Sequence, residues 1–179
     1  AELKFSNTKS ACRMVGCWLC FAYCRSAQDS EQICRTITSK SGLVGGEKGG
    51  SGKSCLAQNL AVYIKQKFQA NVLMVDCDPQ RTTSDWIQAR NNDPSLPSIN
   101  CIQLYGKIRN DLLSLNERFD YVIVDCGGQD NLAMRAAMSV ATYVVIPLRP
   151  KRRDLKTLPH MEDMLSTCKM VNPKMIATI

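Results

Sequence analysis

The sequence contains one histidine, His160, among 179 residues. It follows Pro159 at an expected helix start, which places it on a helix surface rather than among ligands. No histidine-based catalysis is expected. Long apolar runs are also missing. The most apolar stretch, residues 14–24, has neither a period of 2 nor one of 3.6, and eleven residues are too few to cross a bilayer. With Lys9 and Arg13 upstream it mimics a signal-peptide core. A second C-x-x-C is absent too. Cys17 and Cys20 have that spacing, but Cys24 and Cys34 do not complete a paired zinc-binding pattern.

What is present is an ordinary globular composition, 45% hydrophobic and 22% charged. The length suits one domain with a sizeable core. The net charge of +7 is a weak pointer to a polyanionic partner. Five of the ten cysteines (Cys12, Cys17, Cys20, Cys24, Cys34) crowd into residues 1–40, and the other five (Cys55, Cys77, Cys101, Cys126, Cys168) are dispersed. Residues 1–40 are read as a poorly ordered extension and 41–179 as the folded domain. The chain starts at Ala1 and stops at Ile179 inside an apparent strand, so the domain is expected to be incomplete at its C-terminus.

The chemistry is concentrated in Gly46-Glu47-Lys48-Gly49-Gly50-Ser51-Gly52-Lys53-Ser54, which matches the phosphate-loop pattern G-x-x-x-x-G-K-[ST]. Glycines let successive backbone N–H groups turn toward one anion. Lys53 is expected to reach the β- and γ-phosphates of ATP, and the Ser54 hydroxyl to serve Mg²⁺. The context fits, with apolar Leu43-Val44 before the loop and Leu56, Leu60, Ile64 and Phe68 recurring every four residues after it.

Strands are predicted at residues 42–45, 71–76, 99–104, 121–125, 143–148 and 175–179. Helices are predicted at 53–68, 82–91, 107–118, 131–140 and 158–170. This alternation implies right-handed βαβ units, hence an α/β fold: a mostly parallel sheet with helices on both faces. Functional residues then belong at the carboxyl ends of the strands. Two apolar runs end there in aspartates. The first delivers Asp76-Cys77-Asp78-Pro79-Gln80, with two carboxylates on the same side of an extended chain; the second is Val122-Ile123-Val124-Asp125.

Lys48, the second lysine of the loop, makes the pattern more specific. Lys48-Gly49-Gly50-Ser51-Gly52-Lys53-Ser54 resembles the deviant Walker A loop of the ParA/MinD superfamily of P-loop ATPases. Asp76-Cys77-Asp78-Pro79-Gln80 resembles the D-x-D-P-Q segment of the ParA family, and Val122-Ile123-Val124-Asp125 its Walker B strand. Cys126-Gly127-Gly128-Gln129-Asp130 is similar to the switch II turn of small ParA proteins, and Pro147-Leu148-Arg149-Pro150 to the family's P-x-x-P loop. Arg81-Thr82-Thr83-Ser84 departs from the glycine-asparagine often found there and looks closer to the plasmid and phage partition ATPases. The resemblance covers residues 42–179.

It implies ATP and Mg²⁺ as cofactors. Lys48 would reach across an ATP-bound homodimer, Asp78 would position the attacking water, and Asp125 with Asp76 would serve the metal. Gly49, Gly50, Ser51, Gly52, Lys53, Ser54 and Cys55 would hold the nucleotide. The implied function is a partition ATPase with weak hydrolysis stimulated by a ParB-like partner. Its dimer would bind DNA nonspecifically in the cytoplasm on the nucleoid, without membrane contact. A reducing cytoplasm would leave the dispersed cysteines as small core hydrophobes. It would also leave secretion of such an ATPase without a rationale. Lys151-Arg152-Arg153 is a candidate DNA contact, although such runs are commonly just solvated. Cys126 lacks a second cysteine in the context of the nitrogenase iron protein and is read as structural. A membrane-cycling ATPase of the MinD kind and a nonhydrolysing nucleotide-dependent interaction protein are the alternatives.

Overall fold

The computed structural model describes residues 41–128, 132–149 and 151–179. Residues 1–40 lie outside them, including the cysteine-rich segment, as do Gln129, Asp130 and Asn131 of the switch-like turn and Pro150 of the P-x-x-P loop. The described strands are β1 (Ser41–Val44), β2 (Val72–Asp76), β3 (Asn100–Gln103), β4 (Tyr121–Asp125), β5 (Tyr143–Val145) and β6 (Ile176–Thr178). The helices are α1 (Lys53–Phe68), α2 (Thr82–Asn91), α3 (Arg109–Arg118), α4 (Leu132–Met138), α5 (Arg152–Leu155) and α6 (Leu158–Val171). All strand pairs are parallel, in the order β3-β2-β4-β1-β5-β6.

Connections from β1 to β2 and from β2 to β3 run one way along this sheet, and those from β3 through β6 run the other. Right-handed crossovers therefore place the helices on opposite faces. α1 packs on β1, β2 and β4 beside α2, whereas α3, α4 and α6 pack together on the other side. The β2 and β4 side chains alternate between the two layers. Leu73, Val75, Cys77, Val122, Val124 and Cys126 join the core beneath α4 and α6. Asp76 and Asp125 thus face the α1–α2 layer. They are also direct partners in the β2–β4 register. Of the dispersed cysteines, Cys77, Cys126 and Cys168 are buried, while Cys55 and Cys101 are partly so.

Several element ends differ from the periodicity. On α1 the buried stripe is Ala57, Leu60, Ala61 and Ile64, and Phe68 is 45% exposed. A spacing of four residues overshoots one helical turn by about 40°, so an every-four series drifts off the face. Phe68 instead stacks on Tyr121 at 6.3 Å between ring centroids. β5 ends at Val145 because its pairing with β1 and β6 stops there, and Pro147 has no N–H to extend the ladder. α3 starts late because Gly106, at φ +78°, turns the chain and its carbonyl accepts the Ile108 N–H. α4 stops early, where the Ser139 hydroxyl bonds back to the Ala136 carbonyl at 2.7 Å.

Candidate active site

The loop joining β1 to α1 lies above the sheet, and its glycines take backbone shapes a side chain resists. Gly50 and Gly52 have φ of +70° and +91°. Gly52 is the N-cap of α1, and no side chain caps the helix. Among the described residues no side chain caps the first N–H groups of α1, an arrangement that suits an anion. Lys53, Ser54 and Cys55 form its first turn. Lys53 is 6% exposed, and its Nζ donates to the Lys48 carbonyl at 2.7 Å. The Ser51 hydroxyl donates to the same carbonyl at 3.3 Å. Burial lowers the Lys53 pKa, opposed by the charges of Asp125 and Asp78. Gly49 and Gly50 are exposed, and Lys48 is half-buried.

The strand ends bring the aspartates beneath this loop. Asp76 is fully buried and accepts bonds on both oxygens: the Asp78 N–H on Oδ1 at 3.0 Å, and the Ser84 N–H and hydroxyl on Oδ2 at 2.8 Å each. Asp125 is 1% exposed and differently placed. Its Oδ2 accepts the Thr83 hydroxyl at 2.6 Å, while Oδ1 is buried without a hydrogen-bond partner among the described residues. Burial raises its pKa to about 6, opposed by the Thr83 and Ser54 hydroxyls and by the Lys53 charge. Asp78 forms a turn by accepting the Gln80 N–H at 2.9 Å.

The turn after β4 closes the site. A Cβ on Gly127 would stand 2.9 Å from Asp78 Oδ2, and one on Gly128 would stand 2.9 Å from the Gly49 nitrogen. The Walker B turn thus lies against both the D-x-D segment and the phosphate loop, so the three sequence motifs converge. Cys55 is less central: its carbonyl and thiol accept from Asn59.

Three features escaped the sequence. Thr83 and Gln58 form a buried hydrogen-bonded chain to Asp125, joining residues far apart in sequence. His160, half-exposed in the first turn of α6, contacts Glu47 of the phosphate loop. Asp154, inside the basic run, is buried and bonded to Arg149 Nε at 2.9 Å. That pair shapes α5 and leaves Lys151, Arg152 and Arg153 exposed.

Known proteins resemble this chain in sequence and in fold. The sequence profile of the CobQ/CobB/MinD/ParA nucleotide binding domain matches residues 43–176. The chain belongs to that family. Among its relatives is the Maintenance of carboxysome distribution protein A of Halothiobacillus neapolitanus, 25% identical over 74% of this chain and 61% of that protein. Another is Protein ParA of Rhizobium radiobacter, 30% identical over 63% of this chain and half of that one. The chain therefore spans about half to three-fifths of these relatives' length. In fold it is similar to cobyrinic acid a,c-diamide synthase of Mycobacterium smegmatis, a structure with bound ADP and magnesium. The TM-score is 0.65 at 17% identity, covering 78% of this chain and 72% of that one. As a family member this is a P-loop nucleotide-binding domain with a parallel sheet sandwiched by helices.

Among the described residues no three His, Cys, Asp or Glu side chains cluster as a metal site. Mg²⁺ held by a hydroxyl, phosphate oxygens, waters and one carboxylate needs no such cluster. The bare, buried Oδ1 of Asp125 beside Ser54 suits that donor set.

Proposed function

We propose that this chain binds and hydrolyses ATP as a partition-type switch, and that its ATP-bound dimer binds DNA without sequence preference. The observation carrying this reading is the uncapped N-terminus of α1, which presents Lys53 and Ser54 opposite Asp125 with its unpartnered oxygen. An anion site next to a carboxylate with one oxygen lacking a donor among the described residues suits a nucleotide phosphate with its counter-ion.

In this reading Gly49, Gly50, Ser51, Gly52 and Cys55 contribute backbone to the phosphate cradle, and Lys53 balances charge on the β- and γ-phosphates. Ser54 and, through water, Asp125 would hold bound Mg²⁺, which would supply countercharge to the phosphate oxygens. Asp76 supports this shell from behind, its oxygens already saturated by Ser84 and Asp78. Asp78 orients the attacking water. Lys48 reaches the partner's nucleotide and makes dimerisation ATP-dependent. The exposed Lys151, Arg152 and Arg153 contact DNA phosphates, and pairing two such patches in the dimer multiplies their effect. A ParB-like partner accelerates slow hydrolysis and resets the cycle, in the cytoplasm on the nucleoid. The relatives named for partition and for carboxysome distribution are consistent with a positioning role.

Asp78→Ala separates binding from chemistry. It is expected to bind ATP and dimerise by light scattering while phosphate release falls by about tenfold or more, as for loss of a positioning group. Joint loss of dimerisation and hydrolysis would contradict the role given to Asp78.

A further inference from the structure

The first turn of α2 treats the two strand-end aspartates unequally. Ser84 gives Asp76 both its N–H and its hydroxyl, and with the Asp78 N–H this carboxylate is satisfied on both oxygens. Its neighbour in the turn, Thr83, gives Asp125 one hydroxyl, on Oδ2 only. Behind Thr83 stands Gln58 of α1, whose Nε2 donates to Thr83 Oγ1 at 3.0 Å. A threonine hydroxyl has one hydrogen to give. With Gln58 donating to its oxygen, that hydrogen is directed at Asp125. Gln58, Thr83 and Asp125 are 8%, 0% and 1% exposed, so water does not compete along this chain.

We propose that Thr83, oriented by Gln58, is a positioning residue for the metal-serving carboxylate. It pins Oδ2 of Asp125 and thereby reserves Oδ1 for the Mg²⁺ shell. This inference rests on the assignment of Asp125 to Mg²⁺ made above. Thr83 also lies five residues after Asp78 in the same connection from β2. A displacement of this short segment therefore moves both the water-orienting carboxylate and the clamp on Asp125. A buried polar chain that merely satisfied its own members would stabilise the fold without affecting metal dependence, so the two roles separate experimentally.

The test measures ATP affinity in Mg²⁺ and in EDTA for the wild-type chain, Thr83→Val, Thr83→Ser and Gln58→Met, with melting curves for each. Mn²⁺ binding to the ATP complex, read by electron paramagnetic resonance, gives a second readout independent of turnover. The wild type is expected to bind ATP more tightly in Mg²⁺ than in EDTA. Thr83→Val should keep the EDTA affinity, lose about tenfold in Mg²⁺ and require more Mn²⁺; Thr83→Ser should recover both. Gln58→Met should lose part of the Mg²⁺ gain, and it carries the test alone if Thr83→Val does not fold. A wild-type Mg²⁺ gain in Thr83→Val, or in Gln58→Met where that variant stands alone, overturns the proposal. So does equal loss in Mg²⁺ and EDTA, which marks a purely structural role. A wild-type chain that binds no ATP in either condition instead overturns the nucleotide reading.

Discussion

Asp125 sits where burial works against its charge. Its pKa rises from the ordinary 3.8 to about 6 in the folded chain. As pH rises, the unfolded chain therefore loses this proton before the folded one does. The folded state binds more protons between about pH 4 and 6, so stability falls with rising pH across that window. At neutral pH the penalty approaches about 3 kcal/mol. Asp125→Asn removes the charge while keeping an acceptor for Thr83. In metal-free buffer with chelator, the variant is expected to melt roughly 5–10 °C above the wild type at pH 7.5. The advantage should shrink as pH falls from 6 toward 4, and parallel melting curves across this range would contradict it. A group kept at such a cost fits a functional rather than a structural need.

The loops make contact through glycine at the scale of elements. Gly128 brings the turn after β4 against the phosphate loop, and an added Cβ would meet backbone atoms of Gly49 and Lys48 at 2.9–3.2 Å. Backbone cannot swing aside as a side-chain tip can. Gly128→Ala is therefore expected to push the turn off the loop and lower ATP turnover by about tenfold, roughly 1.4 kcal/mol of barrier. Gly106→Ala is the control. It sits at φ +78°, and an added Cβ there would meet nothing within 4 Å. It should cost about 1 kcal/mol of stability and leave turnover unchanged. Equal turnover in both variants would show that the turn and loop are not coupled.

Much of this arrangement is legible in the order of the amino acids. The strand–loop–helix context of Lys53 and the aspartates ending β2 and β4 are local patterns, and the topology brings them to one edge of the sheet. What stays hidden depends on distance in space. Thr83 reads as one more polar residue at a helix start, and Gln58 as a solvated position on an amphipathic helix. Only the packing of α1 against α2 turns them toward Asp125. Likewise Arg149 reads as part of the P-x-x-P loop and Asp154 carries no reading of its own, yet the two pair at α5, with the Asp154 carboxylate buried.

At the scale of the whole molecule, the net charge of +7 is modest for the DNA binding proposed above. In the proposed switch, tight binding to DNA would need two copies acting together, with ATP joining them. Among the described residues no helix is long and apolar enough to cross a membrane. The most direct test of an ATP-controlled switch is a gel shift on duplex DNA of unrelated sequences. It is run with ATP, with ADP and without nucleotide, at two salt concentrations, using the wild type and Lys53→Ala. Without the main countercharge to the β- and γ-phosphates, Lys53→Ala should bind no nucleotide and give no shift. The wild type should shift DNA with ATP alone, for every sequence alike, and more weakly at the higher salt. Equal shifts in all three nucleotide states, or a wild-type shift by Lys53→Ala, would contradict the account.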